Sequence, residues 1–365
     1  MRPNFACLAA CSLLLCASAA LAADHPWQIT TADGESSIAF GVLAQPQLEV
    51  VRTDSGAADS QDIFLRRLRL IVSGQIAKKF SFFVDTDSPN LGKGTPIGTK
   101  VEDRIYIQDA QFTYSFLPQL QVDAGMLMIA QSHNSCQSAA TLLGVDYGPY
   151  AFVASEPVGS RVGRDYGAQA RGHLFNQHFE YRIGVFQGSR AKTSSNPGTS
   201  NGFRYTGRAV WYPFEAETGF FYTGTTLGTR KILAIGASFD HQMEYNAYSV
   251  DAFYDWPVRS GDGITFQAAY THFDGGTTCP LLPKENIWFF EGGYYSRATK
   301  LGPFVQLSNR LFSNSETADL KKYVGGIAYW PSGHRFNVKF GVGRSLGNPL
   351  TEAWQFVLQA QAFVF

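Results

Sequence analysis

Charge is scarce in this sequence: only 16% of its 365 residues are Asp, Glu, Lys or Arg, and 30 bases balance 30 acids. A duplex-binding chain gathers surplus Lys and Arg on one face, so nucleic acid is not an expected partner. Disorder is excluded too, because 14% of the residues are aromatic and net charge is absent. Cysteines number five, and Cys7, Cys11 and Cys16 all fall in the first 22 residues. Cys136 and Cys279 remain; a bridge between them is one reading and two free thiols the other. No Pro-rich or Ser-rich stretch divides the chain. After residue 22 no apolar run reaches the 18 or so residues that a membrane helix needs. A membrane crossing in this chain is therefore made by strands.

Residues 1–22 read as an export leader: Arg2 supplies the positive end, residues 6–19 the apolar stretch, and Ala20-Leu21-Ala22 a small-residue cleavage site. Removing Arg2 leaves 29 of the 30 basic residues against 30 acids, so the mature chain from residue 23 carries about one negative charge. Lipidation at Cys16 is the competing reading, but Leu15 before it is not small.

Only helices and closed barrels satisfy every backbone donor and acceptor in lipid. A barrel strand takes about 10 residues that alternate apolar-out and polar-in. That alternation is plain in residues 105–116, where Ala110, Phe112, Tyr114 and Phe116 share one face and Asp109, Gln111, Thr113 and Ser115 the other. It returns at residues 179–185 and 335–342. The same rule predicts strands over 38–50, 63–75, 80–88, 104–117, 119–128, 165–174, 178–187, 203–212, 231–240, 247–256, 263–272, 286–296, 301–311, 320–330, 335–343 and 354–365. Sixteen strands is an even number, as a closed antiparallel barrel requires, and 14 to 18 bracket it.

Connectors carry independent information. Those over 76–79, 175–177, 297–300 and 331–334 are short, and most of the others are longer, which is the pattern of periplasmic turns on one rim and outer loops on the other. Residues 213–230 break it, being long where a short turn is expected. Trp211, Tyr212, Trp256, Trp288, Tyr329 and Trp330 lie near segment ends, as an interfacial girdle requires. The chain ends on Phe365, with Phe363 two residues before.

At this point six segments in one order resemble the phosphate-selective porin family, typified by the polyphosphate and phosphate porins O and P. They are FLRRLRLIVSGQI at 64–76, RDYGAQARGHL at 164–174, FEYRIGVFQGS at 179–189, KILAIGASFDHQ at 231–242, YSVDAFYDWPV at 248–258 and YVGGIAYWPSGHRFNVKFGVG at 323–343. The resemblance spans nearly the whole mature chain. It implies a 16-stranded, trimeric outer-membrane channel lined by arginines, with the third outer loop folded inward as a constriction. Phe365 is similar to the terminal aromatic by which such barrels are recognised for assembly, which implies the barrel-assembly machinery and outer-membrane lipid as partners. In the strand count reached from periodicity, the third outer connector, over 129–164, is also the longest, far above the usual median of about 4 to 6 residues.

Selectivity in such a channel comes from charge at its narrow point. By parity the inward bases are Arg67, Arg69, Arg171, Arg182, Arg204, Arg208, Arg310, Arg335 and Lys339. The inward acids are Glu49, Asp85, Asp87, Asp109, Asp123, Glu180, Asp251, Asp255 and Glu291. Equal numbers give no bulk anion preference, so any preference comes from clustering, and Arg67 and Arg69 cluster best. A guanidinium fork suits phosphate; the alternative is that these arginines neutralise Asp85 and Asp109 on neighbouring strands. Residues 126–160 contain no Lys or Arg, and His133, Asp146 and Glu156 are their only titratable charges. The family's phosphate site uses lysine near this segment, so no phosphate-binding residue is carried over. Tyr147, Tyr150 and Phe152 narrow a channel, stack on a sugar-like ring, or pack the loop.

A passive channel for small hydrophilic solutes is therefore expected, leaning toward anions such as phosphate or taking uncharged and mixed solutes. The reading from another class is a soluble periplasmic β-rich binding protein. No nucleophile motif accompanies any of the seven histidines, and none has metal-site spacing, so neither catalysis, metal nor cofactor is expected.

Overall fold

A computed structural model describes residues 27–102, 104–190, 201–314, 316–348 and 352–365. The expected leader, 1–22, lies outside them. Seventeen strands run in chain order: β1 (Trp27–Thr30), β2 (Ser37–Thr53), β3 (Ser60–Ala77), β4 (Phe80–Asp87), β5 (Tyr106–Leu117), β6 (Leu120–Met128), β7 (Arg164–Leu174), β8 (Phe179–Phe186) and β9 (Arg204–Trp211) form the first group. β10 (Ile232–Gln242), β11 (Tyr245–Pro257), β12 (Gly263–Asp274), β13 (Glu285–Tyr295), β14 (Leu301–Phe312), β15 (Leu320–Tyr329), β16 (Phe336–Leu346) and β17 (Ala353–Val364) complete the set. β2 to β17 each pair antiparallel with the next, and β17 returns to β2 from Thr53↔Ala353 to Val42↔Val364, so the sixteen close into one barrel. These are the sixteen expected segments, with no boundary moved by more than three residues. β1 is new: it continues the sheet from β2, Trp27 opposite Phe40, and four residues were too few to show a period.

The barrel is inside-out relative to a soluble fold. Ile63, Leu70, Phe112, Phe116, Val250, Phe266, Val305 and Phe340 are exposed on the outer face, while Gln111, Thr113, Ser249, Gln267 and Gln359 are buried on the inner one. An apolar outer band with a polar lumen is the arrangement lipid demands, and it removes the soluble binding-protein reading. The girdle expectation needs correction. Trp211, Trp288 and Tyr329 are exposed, but Tyr212 and Trp330 are fully buried. Residues adjacent in a strand point to opposite faces, so Trp211–Tyr212 and Tyr329–Trp330 cannot both face lipid.

Two bulges break the parity on which the inward assignments rest. In β3 the register passes from Gln45↔Arg67 to Pro46↔Leu65, leaving Arg66 unpaired opposite a proline that cannot donate. In β5 it passes from Asp85↔Asp109 to Thr86↔Ile107, leaving Gln108 extra. Beyond each bulge the faces exchange, so Phe64 is buried within the barrel and Ile63 faces out.

Candidate functional site

The lumen wall is a lattice of ion pairs. Arg69 bridges Asp85 at 3.2 Å and Asp87 at 3.1 Å. Arg171 meets Asp123 at 2.7 Å, Arg182 meets Glu180 at 2.6 Å, and Arg208 grips Asp251 with both terminal nitrogens. Arg204 lies between Asp165 and Asp240, and Arg310 pairs with Glu285 at 2.6 Å. Asp109 is held by Arg164. Glu291 takes hydrogen bonds from Gln267, Gln306 and the Gly144 amide instead of a cation, and Asp255 takes them from Thr226 and Thr265. Most of the wall's arginines are thus neutralised by a neighbouring carboxylate. Arg335 lies in the turn just before β16, which starts at Phe336, and is exposed at the rim.

Two segments enter this lumen from opposite ends. Residues 129–163, between β6 and β7, come from the long-loop rim and lie against the inner wall all the way round. Gln45 and Gln361 donate to the Ala139 and Ala140 carbonyls, Gln306 to that of Asp146, and Ser238 and Arg208 reach that of Gln131. Lys339 spends its ammonium on the Leu142 and Gly144 carbonyls. The wall therefore supplies the cations that residues 126–160 lack. Residues 212–231, between β9 and β10, enter from the short-turn rim and meet the first segment. The Ser138 amide donates to the Tyr222 carbonyl and the Tyr222 amide to the Cys136 carbonyl, both at 2.9 Å. This is an inserted strap, and it explains the connector that was too long for its rim.

Where strap and loop join, the lumen is filled. His133 stacks between Tyr222 and Phe253 with centroids 4.9 and 3.9 Å away, and its Nε2 lies 2.8 Å from Glu217. Arg182 and Arg208 lie over the Tyr222 ring, whose hydroxyl donates to Glu180. Cys136 is a buried free thiol in the cluster containing Tyr222, and Cys279 is another in a separate cluster, so the two are not bridged. Phe363 packs with Leu43 and Ala140 inside the barrel, and Phe365 meets Phe83 edge-on at 6.1 Å. Gln359, Gln361 and Phe363 share one parity of β17, and all three face inward.

Open space survives on the other side, as a cavity of about 460 Å³ between β2–β5, β14–β17 and the loop. Arg66, Arg67, Arg69, Lys93, Arg161, Arg164 and Lys322 border it, against Glu49, Asp87 and Asp146. Asp146, the loop's contribution, accepts from Arg66 at 2.8 Å and Arg67 at 2.5 Å. Enclosure in the barrel pushes its carboxyl up, but the two guanidiniums outweigh that and hold it well below the usual carboxylate range. Tyr147 lies beneath Arg67 and donates to the Gln137 carbonyl, and Phe152 packs edge-on against it. Tyr150 is on the far side of the loop, against the cluster of Phe273 and Ile287. Glu156 is exposed and forms no ion pair among the described residues. Five of the bordering cations were not read from sequence. Arg66 is turned in by its bulge, Lys93 and Arg161 are on loops, and Arg164 lay one residue before its predicted strand. Lys322 had a parity signal, since it shares a face with Gly326 and Ala328.

A closed sixteen-strand barrel, apolar outside and polar within, narrowed by an outer loop folded into its lumen, defines the class of bacterial outer-membrane diffusion channels. The chain belongs to the family of phosphate-selective porins O and P, whose model matches residues 41–231, or 191 of 365. It is an outer-membrane channel for passive diffusion. Among solved structures it resembles the outer-membrane channel DcaP of Acinetobacter baumannii, at 11% identity and TM-score 0.58 over 92% of this chain and 99% of that one. It also resembles OmpF of Salmonella typhi, solved in complex with daunomycin, at 11% identity and TM-score 0.60 over 92% and 100%. The trimer form of OmpT from Vibrio cholerae follows at 10% identity and TM-score 0.51 over 90% and 99%. None of the curated proteins matches its sequence.

Proposed function

We propose that the chain, exported by the leader at 1–22 and folded as a barrel over 23–365, passes small solutes through the cavity beside Asp146 with a preference for anions. The observation that carries this is local charge. Elsewhere the wall neutralises itself or is covered by loop and strap, whereas two of the seven cations bordering the cavity, Arg161 and Lys322, form no ion pair among the described residues. Low-dielectric walls strengthen that field on a passing ion. Phosphate specificity is not part of the reading, because residues 126–160 bring no Lys or Arg to the lumen and Arg67 and Arg69 are committed to carboxylates. No catalytic role is assigned. A homotrimer is proposed by analogy with the trimeric OmpT barrel, and Phe365 is proposed as the mark read by the barrel-assembly machinery before the barrel meets outer-membrane lipid.

Purified protein in a planar bilayer tests the reading. Discrete ion-conducting steps, whose chloride current phosphate reduces only as a competing anion, are expected. An aggregate-free preparation that gives no steps contradicts the channel, and a high-affinity phosphate block contradicts the assigned lack of specificity.

A further inference from the structure

We infer that the cavity selects organic carboxylates, anions with an apolar body, over inorganic oxyanions; this rests on the channel reading above. Its volume of about 460 Å³ lies in the range of small-molecule sites. Most of its cations are spent: Arg66 and Arg67 on Asp146, Arg69 on Asp85 and Asp87, Lys93 on Glu49 and Arg164 on Asp109. Two are not. Arg161 stacks on the Tyr106 ring at 4.2 Å and has no carboxylate partner among the described residues. Lys322 donates to Gln355 and likewise has no carboxylate partner among them.

A site for a bare oxyanion converges several donors on one point. Here the two uncommitted cations sit on different elements, one on the segment before β7 and one on β15, and the cavity they border is also lined by Phe64, Tyr147, Phe152 and Val324. A carboxylate on the Arg161 fork, with its hydrocarbon laid against those rings, satisfies both charge and apolar wall; phosphate satisfies only the first. Hydrocarbon covered by those surfaces adds hydrophobic affinity that phosphate cannot recover.

The test is open-channel current in a planar bilayer with benzoate, acetate and inorganic phosphate added in turn. Benzoate is expected to halve the current at a concentration about tenfold below that of either other anion, a difference of about 1.4 kcal/mol. The double variant Arg161→Gln, Lys322→Gln should need about tenfold more benzoate. Phosphate blocking as well as benzoate does, or benzoate block unchanged in the double variant, overturns the inference. Should the variant fail to fold, equilibrium dialysis of labelled benzoate against the unaltered protein in detergent decides: retention that excess phosphate does not displace supports the inference, and displacement overturns it. Steps without benzoate preference sink this inference and leave the channel standing. Benzoate retention without steps does the reverse.

Discussion

His133 and Glu217 meet at 2.8 Å inside the barrel although one belongs to a loop from the outer rim and the other to a strap from the opposite rim. Both side chains are almost fully buried. The second carboxylate oxygen of Glu217 accepts from the Thr223 amide, so the strap is braced internally before it reaches the loop. A buried polar contact of this kind is expensive to leave half-made. The pair therefore fixes the two segments relative to each other and keeps that side of the lumen shut.

Replacing Glu217 by Ala is expected to loosen the junction by on the order of 1–3 kcal/mol, the cost of leaving the His133 nitrogen unmet. Single-channel records should then show larger or noisier steps. Steps indistinguishable from those of the unaltered protein would mean that the strap does not restrict the lumen.

Gly224 makes the same junction sterically. A Cβ there would lie 2.5 Å from the Thr141 carbonyl oxygen and 2.6 Å from Leu142 Cα. Gly224→Val should force strap and loop apart, which limited trypsin digestion in detergent reads as new cleavage at Arg230 or Lys231. A digestion pattern unchanged by the valine would show that the close approach is dispensable.

Arg69→Ala should act on stability more than on selectivity, since it leaves Asp85 and Asp87 unpaired within the wall. Breaking a buried pair costs about 3–5 kcal/mol. The temperature at which the folded band on a detergent gel gives way to the unfolded one should fall by several degrees or more. An unaltered transition with a reduced chloride-to-potassium ratio would instead make Arg69 a free anion contact.

His334, in the turn between β15 and β16, holds the Thr225 carbonyl of the strap at 2.9 Å. Burial lowers its pKa from 6.5 to about 4, with nearby Lys339 acting in the same direction. The folded protein therefore binds fewer protons than the unfolded chain between those values, and stability falls as pH drops from about 6.5 toward 4. Heat transitions measured across that window should decline with acidification, and His334→Gln should flatten the decline. A variant that keeps the full slope would assign it to other groups.

Most of the barrel was legible because lipid outside and water inside impose strict alternation, as in Phe112, Thr113 and Tyr114 of β5. The lumen was legible only in part, because parity names a face and not a partner. It placed Arg69 inward but not between Asp85 and Asp87. It misplaced Arg66, whose bulge opposite Pro46 lets two consecutive residues turn in; an arginine at a lipid-facing position beside a strand proline was the available signal. Arg335 lies one residue before its strand, exposed at the rim, where parity carries less weight. Lys93 and Arg161 sit on loops, where no period applies. The strap over 212–231 announced itself only as a connector too long for its rim, and its contacts with the loop at 129–163 join residues about 80 positions apart, as Cys136 and Tyr222 are.

The most direct measurement is the reversal potential of single channels across a potassium chloride gradient at neutral pH, with Asp146→Asn beside the unaltered protein. The account predicts a potential of the sign that marks chloride as the more permeant ion, and a further shift the same way when the carboxylate facing Arg66 and Arg67 loses its charge. A potential marking potassium as more permeant, unmoved by that substitution, would contradict it.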